Sequence, residues 1–167
     1  MVNKYYIDLD VLSRRFDISD DRKVQREKAI SAAIQGLLED GKIDCISSKP
    51  LKDETRLIRH DLKRAWLFSL YKKPGFSECV MTTQECLKLR DKLVKECAFA
   101  KEQMVDALHV TIAAMSKVDF FVTFNAKDFI YGSRKQCIEK FFKKELNHNI
   151  IVSTPQRNST LRRIGQF

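Results

Sequence analysis

The chain has 167 residues, 44% of them hydrophobic and 32% charged, with 31 Lys and Arg against 22 Asp and Glu for a net charge of +9. This balance fits one globular domain with a real core and excludes a disordered polyelectrolyte. No apolar run approaches the ~18 residues of a membrane span, and no cationic segment followed by a long apolar one opens the chain, so neither a membrane helix nor a secretory signal is expected.

Only five glycines and three prolines punctuate the sequence, which argues for many helices and few tight hairpins. Residues 4–10 read as a buried strand interrupted by two acids, Asp8 and Asp10. Lying two apart on a strand, these acids would project to one face at its carboxyl end. Asp20-Asp21 can cap a helix that runs to Glu39-Asp40 and stops at Gly41. Lys42–Ser47 is a short second strand, and Ser48 before Pro50 starts a helix expected to continue to Tyr71.

Thr82 or Thr83 leads into a further helix through "QECLKLRDKLVKECAF", and Asp106 opens another, "ALHVTIAAMSK". Val118–Phe124 is the strongest strand signal, followed by a helix near Ser133–Leu146 and a last strand at Asn149–Thr154. Alternating strands and helices predict an α/β fold, a three-layer αβα domain over residues 1–155 with a mostly parallel sheet. Residues 156–167 read as a basic, flexible tail.

Five cysteines without a C-x-x-C pair cannot all be bridged to one another, and a reducing cytoplasm is the simplest setting. A zinc site from Cys86, Cys97 and His109 lacks the usual close ligand pairs. The positive residues recur in groups, among them Arg14-Arg15, Arg22 to Lys28, Arg56 to Arg64 and Lys140 to Lys144. Each alone reads as a solvated face; their sum suggests a polyanionic partner.

In a parallel sheet, functional groups gather beyond the carboxyl ends of the strands. Asp8 ends the first strand, Glu54 lies in the helix after the second, Asp106 heads a mostly apolar helix, and Asn125 with Asp128 follows "DFFVTF". Separately, Glu54 and Asp106 would serve as first-turn acids and Asp128 as a cap or turn residue. Together they bring acids to one rim, where carboxylates repel unless a cation such as Mg²⁺ or Mn²⁺ sits among them. His109, one turn beyond Asp106, reads as a packed residue or one behind the ligands.

These segments carry a resemblance. "YIDLDVL", "ISSKPLKDETRLI", "MVDALHVTIAAMSKVDFFVTFNAKDF" and "NIIVSTPQ" resemble, in order and spacing, the PIN-domain metal-dependent ribonucleases, which include VapC-type toxins. The resemblance implies Asp8, Glu54, Asp106 and Asp128 as metal ligands and the same set with Asn125 as the catalytic group, with Asp53 an alternative to Glu54 by register slip and Asp10 at the family's Asn/Asp position. It further implies Mg²⁺ or Mn²⁺ as cofactor, mainly single-stranded RNA as substrate, an antitoxin protein as candidate partner and a homodimer as candidate assembly. Asn125 in place of the commoner Asp, and a longer helical stretch from Arg56 to Thr83, depart from the pattern. Two other readings stay open: a PIN-like module that binds RNA without cutting it, and a haloacid-dehalogenase-like phosphatase with Asp8 as nucleophile, whose D-x-D-G motif is broken at Val11.

Overall fold

The computed structural model describes residues 3–167 and shows an α/β fold, with helices on both faces of a five-stranded, all-parallel sheet. The strands are β1 (Lys4–Ile7), β2 (Asp44–Ser48), β3 (Phe76–Val80), β4 (Phe120–Val122) and β5 (Ile151–Ser153), in the order β3-β2-β1-β4-β5. The helices are α1 (Leu9–Ser13), α2 (Arg22–Glu39), α3 (Lys49–Arg56), α4 (Asp61–Leu70), α5 (Gln84–Glu96), α6 (Met104–Met115), α7 (Ala126–Phe129), α8 (Arg134–Leu146) and α9 (Ser159–Gly165). The three-layer architecture expected from the alternation of strands and helices is therefore the one adopted.

Strand β1 lies at the centre, pairing Tyr5 and Tyr6 with Cys45 and Ile46 on one side and with Phe120 and Phe121 on the other. Its side chains alternate, so each face of the sheet has its own core. Tyr6, Ile46, Phe121 and Val152 pack against residues of α5, α6 and α8. Tyr5, Ile7, Cys45 and Val122 pack against residues of α1, α2 and α4. Both of β1's hydrogen-bonding edges are thus used, and Tyr5, Tyr6 and Ile7 are buried.

Local chemistry sets the element ends. Asp21 caps α2 by accepting from the amides of Lys23 and Val24 at 2.6 and 3.2 Å, and Gly41 closes it at a φ of +64° that a glycine adopts without strain. Ser48 caps α3 through the Leu51 amide at 3.2 Å, with a proline in the first turn. The single helix expected from Pro50 to Tyr71 is instead two. The chain breaks after Leu57, and His60 restarts it as the cap of α4, accepting from the Lys63 amide at 3.2 Å.

Three further features differ from expectation. Strand β3 occupies a sheet edge, where its exposed Ser77, Glu78 and Cys79 hide the apolar signal of a strand. The segment after Pro155 is not loose. Asn158 caps α9 by accepting from the Leu161 amide at 3.0 Å, and Leu161 is fully buried in the core that α2 also lines. Cys97 and Cys137 are joined by a disulfide that ties the end of α5 to α8, while Cys45, Cys79 and Cys86 are free. A zinc site using Cys97 is thereby ruled out in this state.

The bridge closes a loop with a sequence separation of 40 residues. Loop-closure entropy assigns such a constraint ~4 kcal/mol, so reduction should lower the melting temperature by on the order of 10 °C in a chain of this size. Calorimetry with and without dithiothreitol checks this; an unchanged melting temperature with fully reduced thiols would contradict it.

Candidate metal centre

The order β3-β2-β1-β4-β5 reverses direction between β1 and β4, and clefts open beyond the carboxyl ends of strands at such points. Strand β1 ends at Ile7. Asp8 is already the N-cap of α1, its amide donating to the Val122 carbonyl at 2.9 Å and its Oδ1 accepting from the Leu9 amide at 2.8 Å. Asp10 therefore sits in the first turn of α1 and not on the strand, which corrects the expectation of two acids projecting to one face at the end of β1. The two meet all the same, at Thr123 just beyond β4. Its hydroxyl lies 3.0 Å from Asp8 Oδ2 and 3.2 Å from Asp10 Oδ2, while the Phe124 amide donates to Asp10 Oδ1 at 3.2 Å.

One hydroxyl proton cannot serve two carboxylates. The Thr123 oxygen also accepts from the Asn125 amide at 3.0 Å, so its remaining hydrogen-bond capacity is small. In the absence of a cation the second carboxyl satisfies this geometry by carrying its own proton. Burial, then the charge of Asp8, accordingly push the Asp10 carboxyl up to about 8. Burial likewise raises Asp8, against the opposing pull of His109 and Thr123.

Helix α3 brings Glu54 to the same place and α6 brings His109. One ligand-type atom from each of Asp8, Glu54 and His109 falls within 4.8 Å of the others. The His109 ring is 1% exposed, with Nε2 2.9 Å from Glu54 Oε2 and Nδ1 2.6 Å from the Tyr6 hydroxyl. Burial acts to lower the His109 pKa, but the Glu54 hydrogen bond and the charges of Asp8, Glu54 and Asp106 outweigh it and hold the ring above its ordinary value. Neighbouring Asp53 points elsewhere, paired with Lys49 and Arg56 on the exposed face of α3.

Asp106, Asn125 and Asp10 line one cleft with Asp8 and Glu54, a space of about 450 Å³ that Ser13 and Leu57 border. Asp106 stands outside the tight Asp8–Glu54–His109 group, yet burial, then the charges of Asp8 and Asp128, raise its carboxyl to about 6. Asn125 caps the short α7, and its Nδ2 donates to Asp128 Oδ2 at 2.8 Å. Asp128 is set back from the cleft, held by Gln103, which Arg134 in turn holds at 2.9 Å. Of the residues named from the sequence, Asp8 and Glu54 meet directly, Asp106 and Asn125 face them across the cleft, and Asp128 stands behind Asn125.

Sequence reasoning gave Ser48 only a helix start, singled out neither Tyr6 nor Thr123 as a polar partner, and read His109 as a packed residue or one behind the ligands. The available signal was His109 at one helical turn from Asp106, one of few polar residues on an apolar helix. The rings of Tyr71 and Phe124 are buried in the core and Phe76 packs against it, so none of the three is free to stack on a base.

A scan of protein-family models finds none that matches the chain, and a search of curated proteins finds no relative. Among the described residues no helix is long and apolar enough to cross a membrane.

The raised Asp10 makes stability fall with pH. Its unfolded value is ~3.9 and its folded value about 8, so its contribution is complete below the former and is lost as pH rises through the latter. Asp10→Asn removes the titration and keeps an acceptor for the Phe124 amide. In EDTA at pH 9 the variant should melt roughly 5 °C above the parent, with a much smaller gap at pH 5. A pH-independent gap would show that Asp10 is an ordinary carboxylate.

Proposed function

We propose that the chain is a PIN-type, Mg²⁺- or Mn²⁺-dependent endoribonuclease that hydrolyses phosphodiester bonds in mainly single-stranded RNA. The observation that carries this reading is the cleft at the end of β1, onto which four distant segments deliver Asp8, Glu54, Asp106 and Asn125. The donor set fits a hard divalent ion. It is rich in carboxylate oxygen, and two of its acids are raised, Asp8 chiefly by burial and Asp106 by burial and then the charge of Asp8, a cost that a cation would offset. Asp8, Glu54 and Asp106 would hold the ion, and Asn125, backed by Asp128, would act directly or through water.

A bound ion of this kind supplies an acidified water and neutralises charge gathering on phosphate. The chain's own residues do the rest. Thr123 and the Leu9 amide fix Asp8, so that its carboxylate does not swing as substrate enters. Asn125 lines the cleft with its side chain fixed on α7, Oδ1 accepting from the Asp128 amide at 3.3 Å and Nδ2 donating to Asp128 Oδ2 at 2.8 Å. Leu57, 80% exposed, borders the mouth, with exposed Arg56 and Arg59 beside it in sequence to meet an RNA backbone. The toxin role, with an antitoxin partner and a homodimer, belongs to the same reading through the family resemblance.

One observation favours a second reading. Asn125 spends its side chain on capping α7 and bonding Asp128, in place of a fourth acid. A PIN-like module that binds RNA without cutting it would tolerate that exchange.

Incubation of the full chain with labelled single-stranded RNA, with Mn²⁺ or with EDTA, separates the two. Asp8→Asn should lower Mn²⁺-dependent cleavage at least 100-fold, about 3 kcal/mol of barrier, while leaving the circular dichroism spectrum intact. Cleavage retained in the folded variant, or unaffected by EDTA, overturns the nuclease reading; binding without cleavage at every Mn²⁺ concentration establishes the second one.

Binding carries its own signature. If about four phosphates are neutralised on a single strand, log affinity should fall with log salt at a slope of roughly −3. A slope near zero in a filter-binding titration removes RNA from the account.

A further inference from the structure

We propose that His109 is a positioning residue and not a metal ligand: with Tyr6 and Ser48 it forms a buried relay that fixes the Glu54 carboxylate for the cation. This rests on the metal-centre reading above and adds to it which group binds and which group orients.

The argument is an accounting of protons. The Leu51 amide donates to Ser48 Oγ at 3.2 Å, Ser48 Oγ and the Tyr6 hydroxyl lie 2.6 Å apart, and the Tyr6 hydroxyl lies 2.6 Å from His109 Nδ1. His109 Nε2 completes the chain 2.9 Å from Glu54 Oε2. Ser48 and Tyr6 are fully buried and His109 nearly so, leaving no water to cover an error in the pattern. An ionised Glu54 can only accept, so Nε2–H donates to it. A ring protonated on both nitrogens would turn the Tyr6 proton onto Ser48 and leave the Ser48 proton without an acceptor; with the ring neutral, Nδ1 accepts the Tyr6 proton, the Tyr6 oxygen accepts from Ser48, and the Ser48 oxygen accepts from Leu51. Every proton is used once.

Ligation by Nε2 would undo that order. The nitrogen would have to surrender its proton, and the tautomer with a proton on Nδ1 would turn Tyr6 about and release Glu54. Oxygen-rich sites for hard ions have no need of the exchange. Glu54, by contrast, needs orienting. It is a long side chain on an eight-residue helix, with a third of its surface open to solvent, and holding it in advance removes rotamer entropy that binding would otherwise cost. Strand β1 thereby sets two ligands at once: Asp8 by covalent sequence, and Glu54 through Tyr6 two residues earlier.

The test uses Mn²⁺ alone with the full chain, read by titration calorimetry and pulsed electron paramagnetic resonance. His109→Ala should weaken Mn²⁺ binding by roughly 10–100-fold, the usual effect of removing a partner behind a ligand. His109→Gln, which keeps a donor near the Nε2 position, should recover most of that loss. Tyr6→Phe, which unlocks the tautomer without opening a cavity, should weaken binding several-fold. The Mn²⁺ spectrum of the parent should lack a directly bonded nitrogen. Parent-like binding by His109→Ala removes the relay, and if that variant fails to fold, parent-like binding by Tyr6→Phe does so instead. Equal losses in the Gln and Ala variants, with a nitrogen coupling that both abolish, make His109 a ligand. Failure of the parent itself to bind Mn²⁺ defeats the metal-centre reading and the relay with it.

Discussion

Charge crowding at the end of β1 is the constraint around which the molecule is arranged. A parallel strand paired on both edges and covered on both faces has no solvent to soften the carboxylate that follows it. Asp8 therefore lives by its partners: the Leu9 amide, the Thr123 hydroxyl, and the nearby His109 ring. Those partners come from α1, from the end of β4 and from α6, so the packing of three separate elements answers to one side chain. Asp10 and Asp106, raised first by burial and then by the charge of Asp8, answer to the same crowding.

The contrast between the cleft and the whole chain gives the arrangement its sense. The protein carries a net charge of +9 around a pocket whose wall is largely acidic. A polyanion is drawn toward the surface at long range by the excess of Lys and Arg, but close to Asp8 and Glu54 it meets like charge. A divalent ion reverses the local sign without altering the distant field. On the proposed reading, attraction from afar and repulsion on contact are reconciled by a cation between them.

Much of this was legible in the sequence, for identifiable reasons. Asp8 was visible because Tyr5-Tyr6-Ile7 makes a buried strand unmistakable, and the residue after such a strand sits at the rim by topology. Glu54 was found through the Ser48–Pro50 helix start. Asp10 was assigned to the strand because period-two alternation and a capped first turn both satisfy "DLDVL"; the cap prevails since Asp8 finds the Leu9 amide. The break at Leu57 was hidden because "RLIRHDL" contains neither Gly nor Pro, and β3 because an edge strand needs no alternating apolar face. α9 went unseen because it docks chiefly through one residue, Leu161. The Ser48–Tyr6–His109 chain was beyond reach. Its members are far apart in sequence, and each alone is an unremarkable buried polar group.

The span of those contacts has a kinetic side. Thr123 meets Asp8 across 115 positions and His109 meets Tyr6 across 103. Parallel strands joined by crossovers require loops of this length to close before any reward is collected, and such topologies fold slowly. The pocket thus comes into being last, when the final third of the polypeptide has inserted β4 beside a β1 that was synthesised first. A nascent or truncated chain ending before β4 would already own Asp8, Asp10, Glu54 and Asp106, but it would lack the Thr123 hydroxyl on which Asp8 and Asp10 meet and the strand that seats it beside β1.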